Sequence, residues 1–361
     1  MFTTSSRVEP LGKRALIALG WGIVFLAVWA VTAEIVLTRE GYRVENPLDY
    51  TKYVAFDRYL GWKPDATSGR KIPAETVWPD SSRVSRPQRE KIADKSVLML
   101  GCSHTFGLGV CDSDTFVWKL NERFPDIVFD NYAVGGYGTY QCYLREKQLL
   151  QGDKHYDLVL YCGFLDHLSR NYEWKSTMGN IQGKESYAMD PRVDLDRQGN
   201  MLFYNPVRQW WGEDRSVAIC FAKRVYYTFL MNLYQAHHGQ FGSTEHILFW
   251  ELNLRMADQA ARHGAQFGLV WLYDQSSWDY LLKQRDDIRD HYPWGRERCA
   301  WSEKPEFPCL CTGLTQEMID TEHLPHDDSH FNGRVHSFWA SKIGDWVEKL
   351  LSQPKDARGE W

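Results

Sequence analysis

Three residue types that together support nucleophilic chemistry recur at suggestive places in this chain: Ser103, Asp327 and His330. Ser103 lies within residues 96–109, SVLMLGCSHTFGLG, where the apolar run 97–100 reads as a buried strand that breaks at Gly101. A serine just past a strand's carboxyl end, flanked by glycines that let backbone N–H groups approach a ligand, can act as a nucleophile beside an oxyanion site. The same stretch also reads as an ordinary strand-to-helix turn with a serine N-cap. Near the carboxyl end, residues 325–333 read PHDDSHFNG, a loop leading into a helix. An aspartate three residues before a histidine there can turn both side chains towards one crevice. Acidic turns with a histidine are also common caps, so the pair gains meaning as part of a set. Cys102 and Cys111 are the alternative, thiol nucleophiles.

The elements that must position these residues alternate. After Ser103 come Asp112, Ser113, Asp114 and Thr115, a cluster of N-cap residues, and then Phe116, Val117, Leu120 and Phe124 at helical spacing. Residues 127–133 read as a second strand running into Val134-Gly135-Gly136-Tyr137-Gly138, with a helix over 140–150. A third, almost wholly apolar strand over 157–162 ends in Gly163-Phe164-Leu165-Asp166-His167. A helix over 244–263 stopped by Gly264, a strand over 266–273, and a last helix carrying Phe338, Trp339, Ile343, Trp346, Val347 and Leu350 complete the pattern. Strands this apolar, alternating with helices, predict an α/β protein whose mainly parallel sheet is covered on both faces, with the ligand crevice at the strands' carboxyl ends.

Composition sets the frame. The 361 residues with 43% hydrophobic content allow a sizeable core, and a formal net charge of −5 without a long basic run gives no sign of a nucleic-acid partner. Residues 15–37 are apolar except for Glu34, long enough as a helix to cross the hydrocarbon core, and follow Arg7, Lys13 and Arg14. The positive-inside rule then places the amino terminus in the cytoplasm and the bulk outside. A cleaved signal peptide is the competing reading, with Val31-Thr32-Ala33 as its cleavage site. The expected organisation is a cytoplasmic terminus (1–14), a transmembrane anchor (15–37), a proline-punctuated connector (38–95) packing on the domain, the main domain (96–352) with an insertion at about 172–242 that could wall the crevice, and a tail (353–361). Most of the eight cysteines read as small buried residues, while Cys299 could bridge to Cys309 or Cys311 in an oxidising compartment. A zinc site there would need closer cysteine pairing, and His237-His238 reads as a surface pair; no metal or organic cofactor is expected.

In four ordered blocks the chain resembles the SGNH/GDSL hydrolases, particularly membrane-anchored extracytoplasmic bacterial members. Leu100-Gly101-Cys102-Ser103-His104-Thr105-Phe106-Gly107 looks like the Gly-Asp-Ser block, residues 131–138 like the second block, and Asp327-x-x-His330 like the last, with Asp57-x-x-Leu60-Gly61-Trp62 echoing the segment that precedes such domains. The resemblance implies a three-layer α/β/α sandwich with a flavodoxin-like sheet. It implies Ser103 as nucleophile, His330 as base, Asp327 as its partner, and the N–H groups of Ser103 and Gly136 as oxyanion donors. Two departures stand out: Cys102 replaces an aspartate, and Asp166 stands where the third block, Gly-x-Asn-Asp, has an asparagine whose amide donates to the oxyanion. An ionised carboxylate accepts only, so the remaining donor would be a protonated Asp166, His167 or Asn171, or the site would be compromised. The implied activity is that of a serine esterase on an acyl ester, an O-acetyl ester among the candidates, of an extracytoplasmic glycan or small molecule. Transfer of the acyl group to a polysaccharide, or an inactive envelope binding and assembly component, are the alternatives.

Overall fold

The computed structural model describes residues 11–40, 54–66, 75–171, 191–196, 198–204, 211, 216–219, 221–223, 225–226, 229, 244–291, 307–325 and 327–352. The chain divides into two compact units, Met1–Asn46 with Gln209–Leu233, and Pro47–Arg208 with Tyr234–Trp361.

In the first unit, helix α1 (Leu11–Arg39) has a 25-residue stretch, Ala15–Arg39, whose most apolar 18 residues have a mean hydropathy of 2.2 with none of them buried, long and apolar enough to cross a membrane. The described residues of 217–229 are helical. Glu34 of α1 accepts from the start of that second helix: Ser216 Oγ at 2.7 Å, Val217 N at 3.0 Å and Ala218 N at 2.9 Å.

The second unit is an α/β sandwich. Strands β3 (Lys95–Gly101), β4 (Ile127–Asn131), β5 (Leu158–Gly163), β8 (Gln266–Trp271) and β9 (Cys309–Cys311) form one sheet in the order β4-β3-β5-β8-β9, every pair parallel. The period-2 alternation of β3 sends Leu98 and Leu100 to one core and Val97 and Met99 to the other. Helices α4 (Thr139–Leu150), α6 (Thr244–Arg262) and α7 (Gln275–His291) cover the first face. Helices α3 (Phe116–Arg123) and α9 (Gly333–Ser352) cover the second, with Phe116, Val117, Leu120, Val335, Trp339, Ile343 and Val347 all buried. Gly268 lets α9 close on the sheet, since a Cβ there would lie 2.7 Å from the Trp346 ring. From β3 the chain first steps to β4 on one side and then to β5 on the other, so the strand order reverses at β3, the place where open α/β sheets bind ligands outside the strands' carboxyl ends.

The four strands expected from the sequence are present, and the helices expected over 116–124, 140–150 and 244–263 agree with α3, α4 and α6 to within a residue or so. Thr115 is the N-cap of α3, its Oγ1 accepting from Trp118 N at 3.2 Å. The elements without a sequence counterpart include α7, β9 and the short helix α8 (Gln316–Thr321). The inward face of α7 carries Trp278, Leu281, Arg285 and Ile288, so a buried arginine interrupts the apolar stripe, and its guanidinium lies 5.5 Å from the Trp250 ring. Strand β9 is only three residues long. Its Cys309 and Cys311 are free thiols, and Cys299, like His237-His238, lies outside the described residues. The Asp327–His330 segment is not a loop but strand β11 (Asp327–Phe331), paired antiparallel with β10 (His323–Leu324) beyond the main sheet. Within the stretch expected as an insertion, strands β6 (Arg192–Leu195) and β7 (Met201–Tyr204) form a hairpin whose Val193 and Leu195 belong to the α4/α6 core.

Candidate active site

Ser103 opens the short helix α2 (Ser103–Phe106) directly after β3 and is 7% exposed. Gly101 is required there by space, since a Cβ would meet Thr105 Oγ1 at 2.2 Å, and Gly107 closes α2 in the left-handed region at φ 78°. Asn131, ending β4, donates from Nδ2 to Thr105 O at 2.8 Å and so ties the serine turn to the next strand. Cys102 is buried, and burial pushes its thiol up, which leaves little thiolate for attack.

The glycine loop after β4 approaches closely: a Cβ on Gly135 would lie 3.9 Å from Ser103 Cβ. Gly136 has a left-handed φ of 83°. This loop is braced by a hairpin that precedes the sheet, β1 (Val54–Asp57) with β2 (Gly61–Pro64). Asp57 Oδ1 accepts from Tyr59 N and Leu60 N at 2.9 and 3.0 Å, and Gly61 takes φ 84°, which together form the tight turn. Trp62 Nε1 then donates to Gly135 O at 3.0 Å, Tyr137 Oη donates to Trp62 O, and Gln141 Nε2 donates to Leu60 O at 2.8 Å. The Asp-x-x-Leu-Gly-Trp pattern thus has a local physical meaning: it makes a turn that presents an indole to the loop beside Ser103.

On the other side, His330 Nδ1 lies 2.6 Å from Asp327 Oδ2, while Ser329 donates to Asp327 Oδ1 from Oγ at 2.6 Å and from N at 2.9 Å. Burial alone would raise the Asp327 pKa, but the Ser329 and His330 hydrogen bonds outweigh it and hold the carboxyl at about 2. An ionised carboxylate only accepts, so Nδ1 carries the proton and Nε2 is left as the basic nitrogen. Strand β11 packs against α2. The His330 ring centroid is 5.3 Å from that of His104, the residue after Ser103, and His104 is itself wedged against Phe164 at 3.9 Å. Burial, then the neighbouring His330, hold His104 neutral, well below the usual imidazole range.

The third block, after β5, behaves differently. Asp166 begins the turn α5 (Asp166–Ser169), its side chain 57% exposed and paired with Arg170 Nη2 at 2.7 Å. Arg170 Nη1 also reaches Tyr137 O at 3.4 Å. His167 and Asn171 are fully buried and hold the start of α4. Asn171 Oδ1 accepts from Tyr140 N at 2.9 Å, and its Nδ2 donates to Thr139 Oγ1 at 3.3 Å. Tyr161 Oη donates to Thr139 Oγ1 at 2.9 Å, so its contact of 2.5 Å with His167 Nδ1 is one in which the imidazole donates. Burial keeps His167 neutral. The polar atoms of Asn171 are therefore spent on a helix cap, and the Asp166 carboxylate on Arg170.

Sequence reasoning missed Arg83, because one of three closely spaced arginines (Arg83, Arg86 and Arg89) in a proline-punctuated connector carries no sign of burial. It is fully buried, with Nη2 2.9 Å from Asp112 Oδ1 and 3.0 Å from Val110 O, and its guanidinium 4.8 Å from the Phe106 ring. Its backbone N donates to Asn131 O at 2.8 Å. Glu75 Oε1 accepts from Gly109 N at 2.6 Å, so residues 75–86 brace the loop that leaves the serine helix.

No family model and no curated protein matches the chain. Solved structures similar to it include the psychrotrophic esterase EstA from Pseudoalteromonas sp., inhibited by monoethylphosphonate, at 11% identity and a TM-score of 0.39, covering 72% of this chain and 100% of that one. TesA gives 12% identity, a TM-score of 0.38, and coverage of 71% and 100%. A member of the lipolytic protein G-D-S-L family from Veillonella parvula gives 12%, 0.37, and 72% and 100%. At TM-scores below 0.5 the fold is defined by the strand order and motif positions above.

Proposed function

We propose that this chain is a serine esterase of the SGNH/GDSL type. The observation that carries the reading is the 2.6 Å His330–Asp327 pair on a strand packed against the helix that Ser103 opens. In this mechanism Ser103 Oγ attacks the ester carbonyl carbon and its proton passes to His330 Nε2. The backbone N–H groups of Ser103 and Gly136 receive the oxyanion, and Asp327 stabilises the imidazolium. As the tetrahedral species collapses, the C–O bond to the alcohol breaks and His330 returns the proton to the departing oxygen. A water molecule, deprotonated by His330, then releases the acid and restores Ser103. A sugar hydroxyl in place of water would make the same site an acyltransferase.

The apolar α1 helix and its basic flank support a single-pass inner-membrane protein with the main domain periplasmic, acting on acylated glycans or small esters. One observation favours a second reading, an inactive binding or assembly component. No side-chain amide stands at the third-block position, where Asp166 is held by Arg170. A fluorophosphonate probe decides between them. Covalent labelling of the full chain, lost in Ser103→Ala and His330→Ala, is the expected result; a folded protein that takes no label supports the inactive reading.

A further inference from the structure

We propose that the helix following Ser216 is a membrane-surface element whose apolar face lies in the interfacial layer of the bilayer that α1 crosses. The inference rests on reading α1 as a retained anchor and goes beyond it.

The first observation is where this helix begins. Glu34 is the one charge within residues 15–37, and three residues of that run follow it, about 4.5 Å at the helical rise. A carboxylate at that depth needs partners. Ser216 Oγ and the N–H groups of Val217 and Ala218 supply them, and Ser216 Oγ also accepts from Ile219 N at 3.2 Å. One side chain thus satisfies first-turn donors of the second helix and fixes its start at the height where hydrocarbon gives way to headgroups.

The second observation is the inversion of the usual pattern. Phe221, Val225 and Phe229 recur every four residues and with Tyr226 sweep an arc of roughly 140° at 100° per residue. All four are exposed, Phe229 at 60%, whereas Lys223 on the opposite side is 4% exposed. A helix that turns its lysine inward and its aromatics outward is arranged for a surrounding that is not water. Trp211, 95% exposed and five residues before Ser216, is of the type that collects at the membrane interface. A helix lying in the interface with its apolar face 5–10 Å deep, at about the level of Glu34, meets these constraints together.

The test uses the full chain in phosphatidylethanolamine/phosphatidylglycerol vesicles, with photoreactive p-benzoylphenylalanine replacing Phe229, Leu26 within α1, or the fully exposed Ile92 of the other unit. Irradiation should give a lipid adduct, read by mass, at positions 229 and 26 and none at 92. An adduct at 26 without one at 229 overturns the inference and leaves the anchor intact, as does an adduct at 229 to protein in place of lipid. No adduct at 26 overturns the anchor and the inference with it. Glu34→Ala should lose the adduct at 229 while keeping that at 26; full retention at 229 would refute the role given to Glu34.

Discussion

Asp327→Asn tests the base most directly. In the proposed mechanism the Asp327 carboxylate, 2.6 Å from His330 Nδ1, takes that proton and leaves Nε2 to accept from Ser103. An asparagine can turn its NH₂ to His330, which then accepts at Nδ1 and carries its proton on Nε2, the nitrogen that must be empty for attack. Where such control is lost completely, kcat falls by about 10⁴, roughly 5.4 kcal/mol of transition-state stabilisation. Two features of this site reduce that figure. The Asp327 side chain is 38% exposed, so solvent screens its charge, and Ser329 Oγ lies 3.0 Å from Nδ1, where it can accept the same proton. The expected loss is therefore about 10³ in kcat, with KM little changed, since in the proposed mechanism the carboxylate acts on the transition state through the imidazole. Hydrolysis of an activated aryl acetate by the full chain in detergent measures it, with melting temperature as the control for folding. If Ser103→Ala abolishes turnover while Asp327→Asn retains within about tenfold of the native rate, the assigned tautomer control is wrong.

Asp166→Asn should change kcat by less than about tenfold, because the native carboxylate is held by Arg170; loss of a true oxyanion donor costs about 10²–10³. Asn171→Ala should leave kcat intact but lower stability by about 1–2 kcal/mol in urea unfolding, since it removes the acceptor for Tyr140 N in a buried helix start. Trp62→Phe leaves Gly135 O without its indole donor and should cost about 1–2 kcal/mol, with a loss of kcat that Asn171→Ala does not show, because the disturbed loop adjoins Ser103. His336, buried and accepting from Phe116 N at 3.2 Å, has its pKa lowered by burial to about 3. Its stabilising contribution is complete above the unfolded imidazole value and is lost as pH falls from about 6.5 towards 3, at about 1.4 kcal/mol per pH unit. His104 and His167 shift the same way and add to the slope. Unfolding midpoints between pH 7 and 4 should show it, and His336→Gln should flatten it by about one proton.

What was legible in the sequence followed the strength of its periodicity. Strands β3, β5 and β8 are buried on both faces and read as largely apolar runs, so the strands and the turns at their ends could be seen. The Ser103 turn, the Gly135-Gly136 loop and Asp327–His330 were recognisable because each concentrates special residues within a few positions. Strand β11 was not, because DDSHF is polar and pairs with only two residues outside the sheet, leaving no alternation to detect. Arg83 and Glu75 were invisible for another reason: their partners, Asp112 and Gly109, lie some 29 and 34 positions away, and only the fold brings them together. The meaning of Asp166 was the hardest to read. Its type announced a missing amide, but only the structure gives its ion pair with Arg170.

These placements divide the site into two halves supported by separate elements. The serine turn and the glycine loop are built into the sheet and clamped from outside by Trp62 and Arg83, both fully buried. His330 and Asp327, the proposed base and its carboxylate, sit on a two-stranded hairpin beyond the sheet, where Asp327 keeps substantial exposure. Changes in the first half must disturb buried hydrogen bonds and so are expected to cost stability together with activity. Changes in the second can remove the base at little cost to the core. Under the proposed mechanism such an arrangement would let a chain of this fold gain or lose turnover through a few residues of one small hairpin, so that variants of His330 and Asp327 test turnover with little disturbance of the core.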